Sequence, residues 1–244
     1  MSSCMLEVVN VSKRFGGLVA VDDVSFQVNK HEVFGLIGPN GSGKTTMMNL
    51  ISGAHKTTSG DIYFQERLIS GMPPRGIFLR GVARTFQLVK PLSGLTPAES
   101  VMAGVVFSRN PLWGREAEKA AQRMLTRVGL AGRGHEPLSS LTYIDQKRVE
   151  LARALISDPQ LLLLDEWLAG LNATELLEGI DLIKSISAEG TTIVLVEHLM
   201  DAIRSLCQTC VVMNVGKVIA SGETDSVLSI PEVIDAYLGD ASDV

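Results

Sequence analysis

The stretch of sequence that decides the fold is Gly38-Pro39-Asn40-Gly41-Ser42-Gly43-Lys44-Thr45-Thr46. It follows an apolar run at 33–37 that has strand character, and it precedes a run at 47–51 that has helical composition. The spacing of its glycines, lysine and threonine meets the phosphate-loop pattern, and the flanking runs supply the strand and helix that the pattern requires. We therefore predict a phosphate-binding loop between a strand and a helix.

The chemistry of phosphate binding explains these residue types. Phosphate oxygens need several donors that converge on a small concavity, and glycines bring bare backbone N–H groups close to them. The start of a helix adds unpaired N–H groups and the positive end of its dipole. We expect Lys44 to bridge the β- and γ-phosphates of a nucleotide and the Thr45 hydroxyl to bind Mg²⁺. The alternative is a glycine-rich turn without function, and the lysine, the hydroxyl and both flanks argue against it.

Composition excludes several classes of protein. The chain has 244 residues, 45% of them hydrophobic, which predicts one large domain over 1–244. The net charge of −5, without a basic stripe, argues against nucleic acid as a partner. Its apolar runs fall far short of the roughly 18 to 20 residues that span a bilayer, and no export signal is visible, so we expect a cytoplasmic protein. Cys207 and Cys210 lack further metal ligands or a redox motif context and are expected to be buried thiols.

The N-terminal and middle parts of the chain carry different secondary-structure signals. Alternating apolar residues predict strands at 6–11 and 24–28, joined by a polar loop at 12–17. The middle third shows helical signals only. One helix start has Thr96 as its N-cap and Glu99 at capping-box spacing, and a later stretch repeats apolar residues along one helix face. A helical part is therefore predicted beside a part that contains strands.

Continuous apolar runs in the last third complete the predicted architecture. The runs at 161–164 and 192–196 predict strands that are buried on both faces, as parallel strands are. The predicted fold class is α/β: a P-loop NTPase core with a parallel sheet, an N-terminal antiparallel β subdomain and an inserted helical subdomain. The predicted boundaries are 1–87 and 158–244 for the α/β core and 88–157 for the helical subdomain.

Three predicted strands end in groups that can act on phosphate: the phosphate loop, the carboxylates of Asp165 and Glu166, and His198. Ligands bind outside the carboxyl ends of parallel strands, so we expect these groups to lie together. Asp165 is expected to hold Mg²⁺, Glu166 to act as general base on a water that attacks the γ-phosphate, and His198 to orient that phosphate. Taken singly, Glu166 could be a solvated carboxylate and His198 a structural histidine. Their order along the chain favours nucleotide hydrolysis.

With these motifs the chain resembles the nucleotide-binding subunits of ATP-binding cassette (ABC) transporters over nearly its whole length. The resemblance implies ATP as substrate, Mg²⁺ as cofactor and ATPase activity. It implies nucleotide contacts from an adenine-stacking aromatic and the phosphate loop: Phe15, Gly38, Asn40, Gly41, Ser42, Gly43, Lys44, Thr45 and Thr46. It also implies catalytic roles for Glu166, His198 and Gln87, and Mg²⁺ ligation by Thr45, Gln87 and Asp165.

Finer details resemble the branched-chain amino acid importers, and in particular the first of that system's two ATPase subunits. They are Arg84-Thr85-Phe86-Gln87, Glu197-His198-Leu199-Met200-Asp201 and the tail at 232–239. Importers of urea, amides and other amino acids share these features, and lipopolysaccharide exporters are similar, so these solutes stay open. The resemblance implies a second ATPase subunit in a homo- or heterodimer, a transmembrane permease and, indirectly, an extracytoplasmic solute-binding protein. It places the chain peripherally on the inner face of the cell membrane, with the permease docked on the helical part and on 88–92.

The signature position departs from the family pattern. Leu-Ser-Gly-Gly-Gln is replaced by Leu141-Thr142-Tyr143-Ile144-Asp145. In the family this segment reaches the γ-phosphate held by the partner, so the resemblance implies that Thr142 acts in trans. Ile144 replaces a glycine that lets backbone approach phosphate, and Asp145 puts a negative charge nearby. Either Thr142 still completes the partner's site or that site turns over slowly, and a regulatory subunit that binds ATP with little hydrolysis is a further alternative. Trp167, directly after Asp165-Glu166, stands where the family commonly has proline, and its side chain is expected to serve packing.

Overall fold

The computed structural model describes residues 4–85 and 94–238. In chain order the strands are β1 (Cys4–Phe15), β2 (Leu18–Asn29), β3 (Val33–Ile37), β4 (Ser59–Phe64), β5 (Arg67–Leu68), β6 (Val82–Arg84), β7 (Leu161–Asp165), β8 (Thr192–Val196), β9 (Thr209–Asn214) and β10 (Lys217–Glu223). The helices are α1 (Lys44–Ile51), α2 (Pro74–Leu79), α3 (Pro97–Val106), α4 (Gly114–Arg127), α5 (Tyr143–Leu155), α6 (Ala173–Ala188), α7 (Met200–Leu206), α8 (Thr224–Leu228) and α9 (Pro231–Leu238). A short 3-10 helix lies at Leu138–Ser140.

The larger sheet carries the phosphate loop. Its strand order is β10-β9-β3-β8-β7-β6, and all neighbouring pairs are parallel except β10 with β9. All residues of β3, β7 and β8 are buried. Alternate residues of β7 pack in two different core clusters, Leu162 and Leu164 in one and Leu161 and Leu163 in the other. The prediction of parallel strands buried on both faces is confirmed.

The smaller sheet is antiparallel, with strand order β2-β1-β4-β5. It confirms the predicted N-terminal β part but corrects one boundary. β1 continues to Phe15 and β2 begins at Leu18, so the predicted polar loop at 12–17 is wrong except for Gly16 and Gly17. Register shifts after Val8 interrupt the apolar and polar alternation, so a polar stretch that looks like a loop still pairs with β2.

Helices α3, α4 and α5 lie between β6 and β7 in the chain and form the inserted helical part. The predicted capping box of Thr96 and Glu99 is present at the start of α3. Helix α5 begins at Tyr143, and Thr142 caps it by accepting from the Asp145 N–H. Helix α8 was not predicted. The exact division into 1–87, 88–157 and 158–244 stays a prediction, and its first boundary lies outside the described residues.

Three further expectations concern single features of the described residues. None of their helices combines the length and apolar character that crossing a bilayer requires. Cys207 and Cys210 are buried free thiols, as expected, and burial raises the pKa of both. Trp167 is buried, and its ring packs so closely on Gly179 that a Cβ there would lie 3.2 Å from it. The packing role expected for Trp167 is therefore present.

Candidate active site

Glycines give the phosphate loop a backbone that other residues adopt only with strain. The φ angle is 144° at Gly38 and 105° at Gly43. A Cβ at Gly38 would lie 2.0 Å from the carbonyl oxygen of Met213, and one at Gly43 would lie 2.6 Å from that of Ala20. A Cβ at Gly41 would meet nothing within 4 Å. The loop is thus packed against the protein at both ends and open in its middle, where a ligand can approach.

Lys44 and Ser42 are buried within this loop. The Lys44 ammonium donates to the carbonyls of Gly38 at 2.7 Å and Pro39 at 2.8 Å. The Ser42 hydroxyl is buried and has no hydrogen-bond partner in the described part of the chain. Thr45 and Thr46 follow in the first turn of α1. An ammonium, hydroxyls and a helix start around one concavity suit phosphate oxygens.

The carboxyl ends of β3, β8 and β7 lie side by side, because β8 pairs with β3 on one side and with β7 on the other. Asp165 is in register with Val196, and the Glu166 N–H donates to the Val196 carbonyl at 2.9 Å. His198 follows β8 and is exposed. The structure therefore brings the phosphate loop, Asp165, Glu166 and His198 to the same edge of the sheet.

Asp165 has two different oxygen environments. Its Oδ2 pairs with the Arg84 guanidinium at 2.7 Å, and Arg84 also donates to Asn49 of α1 at 2.7 Å. Its Oδ1 is buried and has no hydrogen-bond partner among residues 4–85 and 94–238. An unpartnered carboxylate oxygen is a ligand that Mg²⁺ prefers, so this residue fits the ion. The pairing with Arg84 was not predicted. The sequence signal that could have indicated it is an arginine at the end of β6, the strand that pairs with β7.

Glu197 is a second residue of this edge that sequence patterns did not predict. Its side chain is fully buried, and its Oε1 accepts from the Leu168 N–H at 2.7 Å. Burial raises the pKa of Glu197 to about 7, against the effect of backbone hydrogen bonds from Leu168 and His198. This carboxyl group therefore holds the turn that follows Glu166.

The signature segment is occupied by contacts within its own chain. The Thr142 hydroxyl accepts from the Asp145 N–H at 3.3 Å and donates to Asp145 Oδ2 at 2.7 Å. The same Oδ2 accepts from Arg133 at 2.6 Å. Burial alone would raise the pKa of Asp145, but hydrogen bonds from Thr142 and Arg133 lower it, so the carboxylate is ionised at neutral pH. The negative charge predicted near the partner's phosphate is thus balanced by an arginine, and Ile144 is buried.

Two further predictions concern Phe15, which lies in the smaller sheet, and Gln87. Phe15 is at the end of β1 and is 41% exposed. Its ring meets His55 edge-on with centroids 5.2 Å apart, and the Lys13 ammonium lies 4.8 Å from the ring centre. Gln87 and the docking segment at 88–92 lie outside the described residues.

Comparison with known proteins identifies the family. The sequence profile described as ABC transporter matches residues 21–169. The chain belongs to the ABC transporter family. One relative is the high-affinity branched-chain amino acid transport ATP-binding protein LivG of Salmonella typhimurium, 38% identical over 99% of this chain and 100% of the relative. Another is BraF of Pseudomonas aeruginosa, with the same description, 36% identical over 99% of this chain and 100% of the relative.

Solved structures of ABC cassettes share the fold. The ADP conformation of MJ1267, an ATP-binding cassette of an ABC transporter, is 31% identical, with a TM-score of 0.88 over 98% of this chain and 100% of that chain. A dimeric post-hydrolysis state of the cassette MJ0796, bound to ADP and Pi, is 25% identical, with a TM-score of 0.81 over 90% of this chain and 99% of that chain. The predicted fold class and the predicted ABC ATPase identity are confirmed.

Proposed function

We propose that this chain is the ATP-hydrolysing subunit of an importer for branched-chain amino acids. The observation that carries the proposal is the meeting, at one sheet edge, of a preformed phosphate loop with Asp165 and Glu166. The solute class is inferred from LivG and BraF, whose descriptions name high-affinity branched-chain amino acid transport. Similarity over the full length of both relatives supports the same role here.

In this proposal the phosphates of ATP lie in the loop from Gly38 to Thr46, and Phe15 stacks on the adenine. Lys44 gives up its carbonyl partners for the β- and γ-phosphates, since hydrogen bonds between ions are stronger than those to neutral carbonyls. Thr45, Asp165 and Gln87 would hold Mg²⁺, which neutralises phosphate charge and orients the oxygens. Asp165 Oδ1 and the Ser42 hydroxyl, which have no hydrogen-bond partner among residues 4–85 and 94–238, support these assignments.

Hydrolysis then needs a base and a donor at the γ-phosphate. Glu166 accepts a proton from the attacking water, and His198 donates its ring N–H to the γ-phosphate. Both residues follow strands that are neighbours of each other, with β8 next to the strand of the phosphate loop. Gln87, after β6, links this site to the permease.

A second cassette completes each site. The MJ0796 cassette is dimeric with ADP and Pi bound, which supports a dimer for this chain. ATP closes the dimer and hydrolysis reopens it, a ligand-driven change between two states. Thr142 and the start of α5 face the nucleotide held by the partner. Because the Thr142 O–H donates to Asp145, the site that this signature completes is expected to turn over slowly.

The transporter also contains a permease. The chain lies peripherally on the inner face of the cell membrane, with α3, α4, α5 and the segment 88–92 against the permease. An extracytoplasmic solute-binding protein delivers the amino acid to the outer face of the permease. These partners follow from the importer function that the relatives' names describe.

Uptake of radiolabelled leucine tests the proposal, in proteoliposomes that contain the permease, the solute-binding protein and this chain as ATPase subunit. We expect uptake that requires internal ATP, is lost with Lys44→Ala, and is inhibited by isoleucine and valine but not by urea. Inhibition by urea and not by valine would reject the solute class. Uptake at the wild-type rate with Lys44→Ala would reject a role for this phosphate loop.

A further inference from the structure

A buried lysine contacts the turn that carries Glu166. Lys147 belongs to α5, the helix that starts with the signature segment, and its side chain is 2% exposed. Its ammonium donates to the carbonyls of Trp167 at 2.8 Å and Ala169 at 2.6 Å, and lies 3.5 Å from that of Glu166. An ammonium has three N–H donors, so these three carbonyls use its full capacity.

The backbone of this turn needs such support. Glu166 has a φ of 49°, in the left-handed region that is unfavourable for a residue with a Cβ. The turn closes with a hydrogen bond from the Ala169 N–H to the Glu166 carbonyl at 3.2 Å. Lys147 binds the carbonyls of the turn, and Glu197 accepts from the Leu168 N–H at 2.7 Å. A buried ammonium and a buried carboxyl group thus fix both the acceptors and a donor of the same short segment.

Trp167 returns a hydrogen bond to the helix. Its indole Nε1 donates to the carbonyl of Lys147 at 3.3 Å, while the Lys147 ammonium donates to the carbonyl of Trp167. Both side chains are 2% exposed, so water competes little for either bond. Proline, which is common at the position of Trp167 in the family, has no side-chain donor and could not make this contact. The pair therefore links α5 to the turn in both directions.

The charges around Lys147 are consistent with a cation at this place. Burial lowers the pKa of Lys147 below its ordinary value, and the negative charges of Glu197, Glu150 and Glu166 raise it by less than burial lowers it. The ring of Tyr143, one turn earlier in α5, lies 4.9 Å from the ammonium. The cation thus sits among carboxylates, carbonyls and an aromatic face, all of which favour positive charge.

We propose that Lys147 is a positioning residue for ATP hydrolysis. By fixing the 166–169 turn, with Glu166 in the left-handed conformation, it aims the Glu166 carboxylate at the attacking water. This inference rests on the proposed function, in which Glu166 is the general base. Lys147 contacts the backbone of the turn, so its effect on hydrolysis comes from the position it gives Glu166. Loss of the ammonium lets that backbone relax, so ATP binding at the phosphate loop is kept while hydrolysis slows.

The competing explanation is a lysine that only joins a helix to a turn. Its removal would then lower stability but leave the turnover of the folded enzyme unchanged. The two explanations differ in kcat measured on folded protein, and in whether kcat changes without KM. A misaimed base lowers kcat alone, because it acts after ATP has bound.

The test is steady-state ATPase kinetics of Lys147→Met, in the same assembly in which the wild-type chain hydrolyses ATP. Methionine keeps the apolar stem and removes the ammonium. We expect kcat to fall at least about tenfold while KM and the Kd for ATP stay within about twofold, since small misplacement of a reacting group is costly. Arg204→Met is the matched control, because it removes a cation paired with Asp225 on the surface, and its kcat should stay within about twofold.

A folded Lys147→Met enzyme with wild-type kcat would overturn the inference, with folding checked by the thermal unfolding midpoint. If that variant does not fold, Lys147→Gln replaces it, since it removes the ammonium and keeps a polar amide that can donate to a carbonyl of the turn. We then expect kcat about threefold lower at unchanged KM, and an unchanged kcat would overturn the inference. Failure of the proposed function would look different: Glu166→Gln itself would be as active as wild type.

Discussion

The phosphate loop and the signature segment are both short polar stretches at the start of a helix, yet their polar groups are used differently. In the phosphate loop the Ser42 hydroxyl is buried without a hydrogen-bond partner in the described part of the chain, and Lys44 rests on carbonyls of the loop itself. In the signature segment the Thr142 hydroxyl donates to Asp145, which also accepts from Arg133. One segment is prepared for an anion, and the other is satisfied internally.

The two segments differ in the group that a bound phosphate would have to displace. In the proposed function, an anionic phosphate displaces neutral carbonyls at Lys44, so the exchange is favourable. A phosphate at Thr142 would have to displace an ionised carboxylate, which would also repel it. We therefore expect the phosphate loop to bind ATP readily and the signature segment to contribute weakly to a partner's site.

The largest expected effect comes from removing the backbone freedom of the phosphate loop. Gly43→Ala would put a Cβ 2.6 Å from the Ala20 carbonyl at a φ of 105°. Because backbone must move there, the N–H groups no longer converge on phosphate, and we expect ATP affinity to fall about 100-fold. Titration with a fluorescent ATP analogue measures this affinity.

Gly71→Ala is the matched control for this change. Gly71 also has a positive φ, 75°, but a Cβ there would meet nothing within 4 Å. We expect a loss of about 1 kcal/mol in the free energy of unfolding and no change in ATP affinity. If Gly43→Ala bound ATP like the wild type, the loop would not be the preformed site described above.

The next effect concerns Glu197, whose buried carboxyl group costs stability when it ionises. The pKa of Glu197 is about 7 in the folded protein against an ordinary 4.5, so the folded state favours the protonated form. That stabilisation is present below about pH 4.5 and is lost as pH rises to about 7. Glu197→Gln avoids ionisation, so we expect its free energy of unfolding at pH 8 to exceed that of the wild type by about 2 kcal/mol.

Chemical denaturation at two pH values checks this sign. At pH 5 the two proteins should be nearly equally stable, because Glu197 is then protonated in the folded wild type. A Glu197→Gln protein that is less stable than the wild type at both pH values would show that the carboxylate stabilises the turn in its ionised form.

A smaller effect is expected when the Thr142 hydroxyl loses its hydrogen bond to Asp145. Asp145→Ala frees the Thr142 O–H and removes a charge that repels phosphate, so we expect the ATPase rate at the site it completes to rise about fivefold. Stability should fall by about 1 kcal/mol because a negative charge at the start of α5 is lost. Glu136→Ala is the matched control: it removes another carboxylate bound by Arg133 and should leave the rate unchanged.

The smallest expected effect comes from removing the Thr142 hydroxyl itself. Thr142→Ala should change the rate less than about twofold in the wild-type background, because the hydroxyl is engaged by Asp145. In the Asp145→Ala background the same change should cancel the gain. Equal effects of Thr142→Ala in both backgrounds would mean that Asp145 does not withhold the hydroxyl.

Sequence predicted the features that are encoded over short distances. The phosphate loop between β3 and α1, the capping box of Thr96 and Glu99, and the buried runs of β7 and β8 each depend on neighbouring residues, which the chain itself displays. The register shifts that lengthen β1 were hidden, since they depend on pairing with β2.

The missed parts of the site are contacts between distant residues. Arg84 meets Asp165 across 81 positions, and Lys147 reaches the carbonyl of Ala169 across 22. Neither Lys147 nor Glu197 stands out in sequence, because a charged residue in an amphipathic helix or after a strand is ordinarily solvated. Only the fold shows that both are buried around one turn.

The decisive experiment measures ATP hydrolysis by the wild-type chain and by Glu166→Gln in the same assembly, with ATP binding measured on the same samples. We expect both proteins to bind ATP with equal affinity and the glutamine variant to release phosphate at least about 100-fold more slowly, because the amide cannot accept the proton from water. Phosphate release by Glu166→Gln at the wild-type rate would show that Glu166 is not the general base.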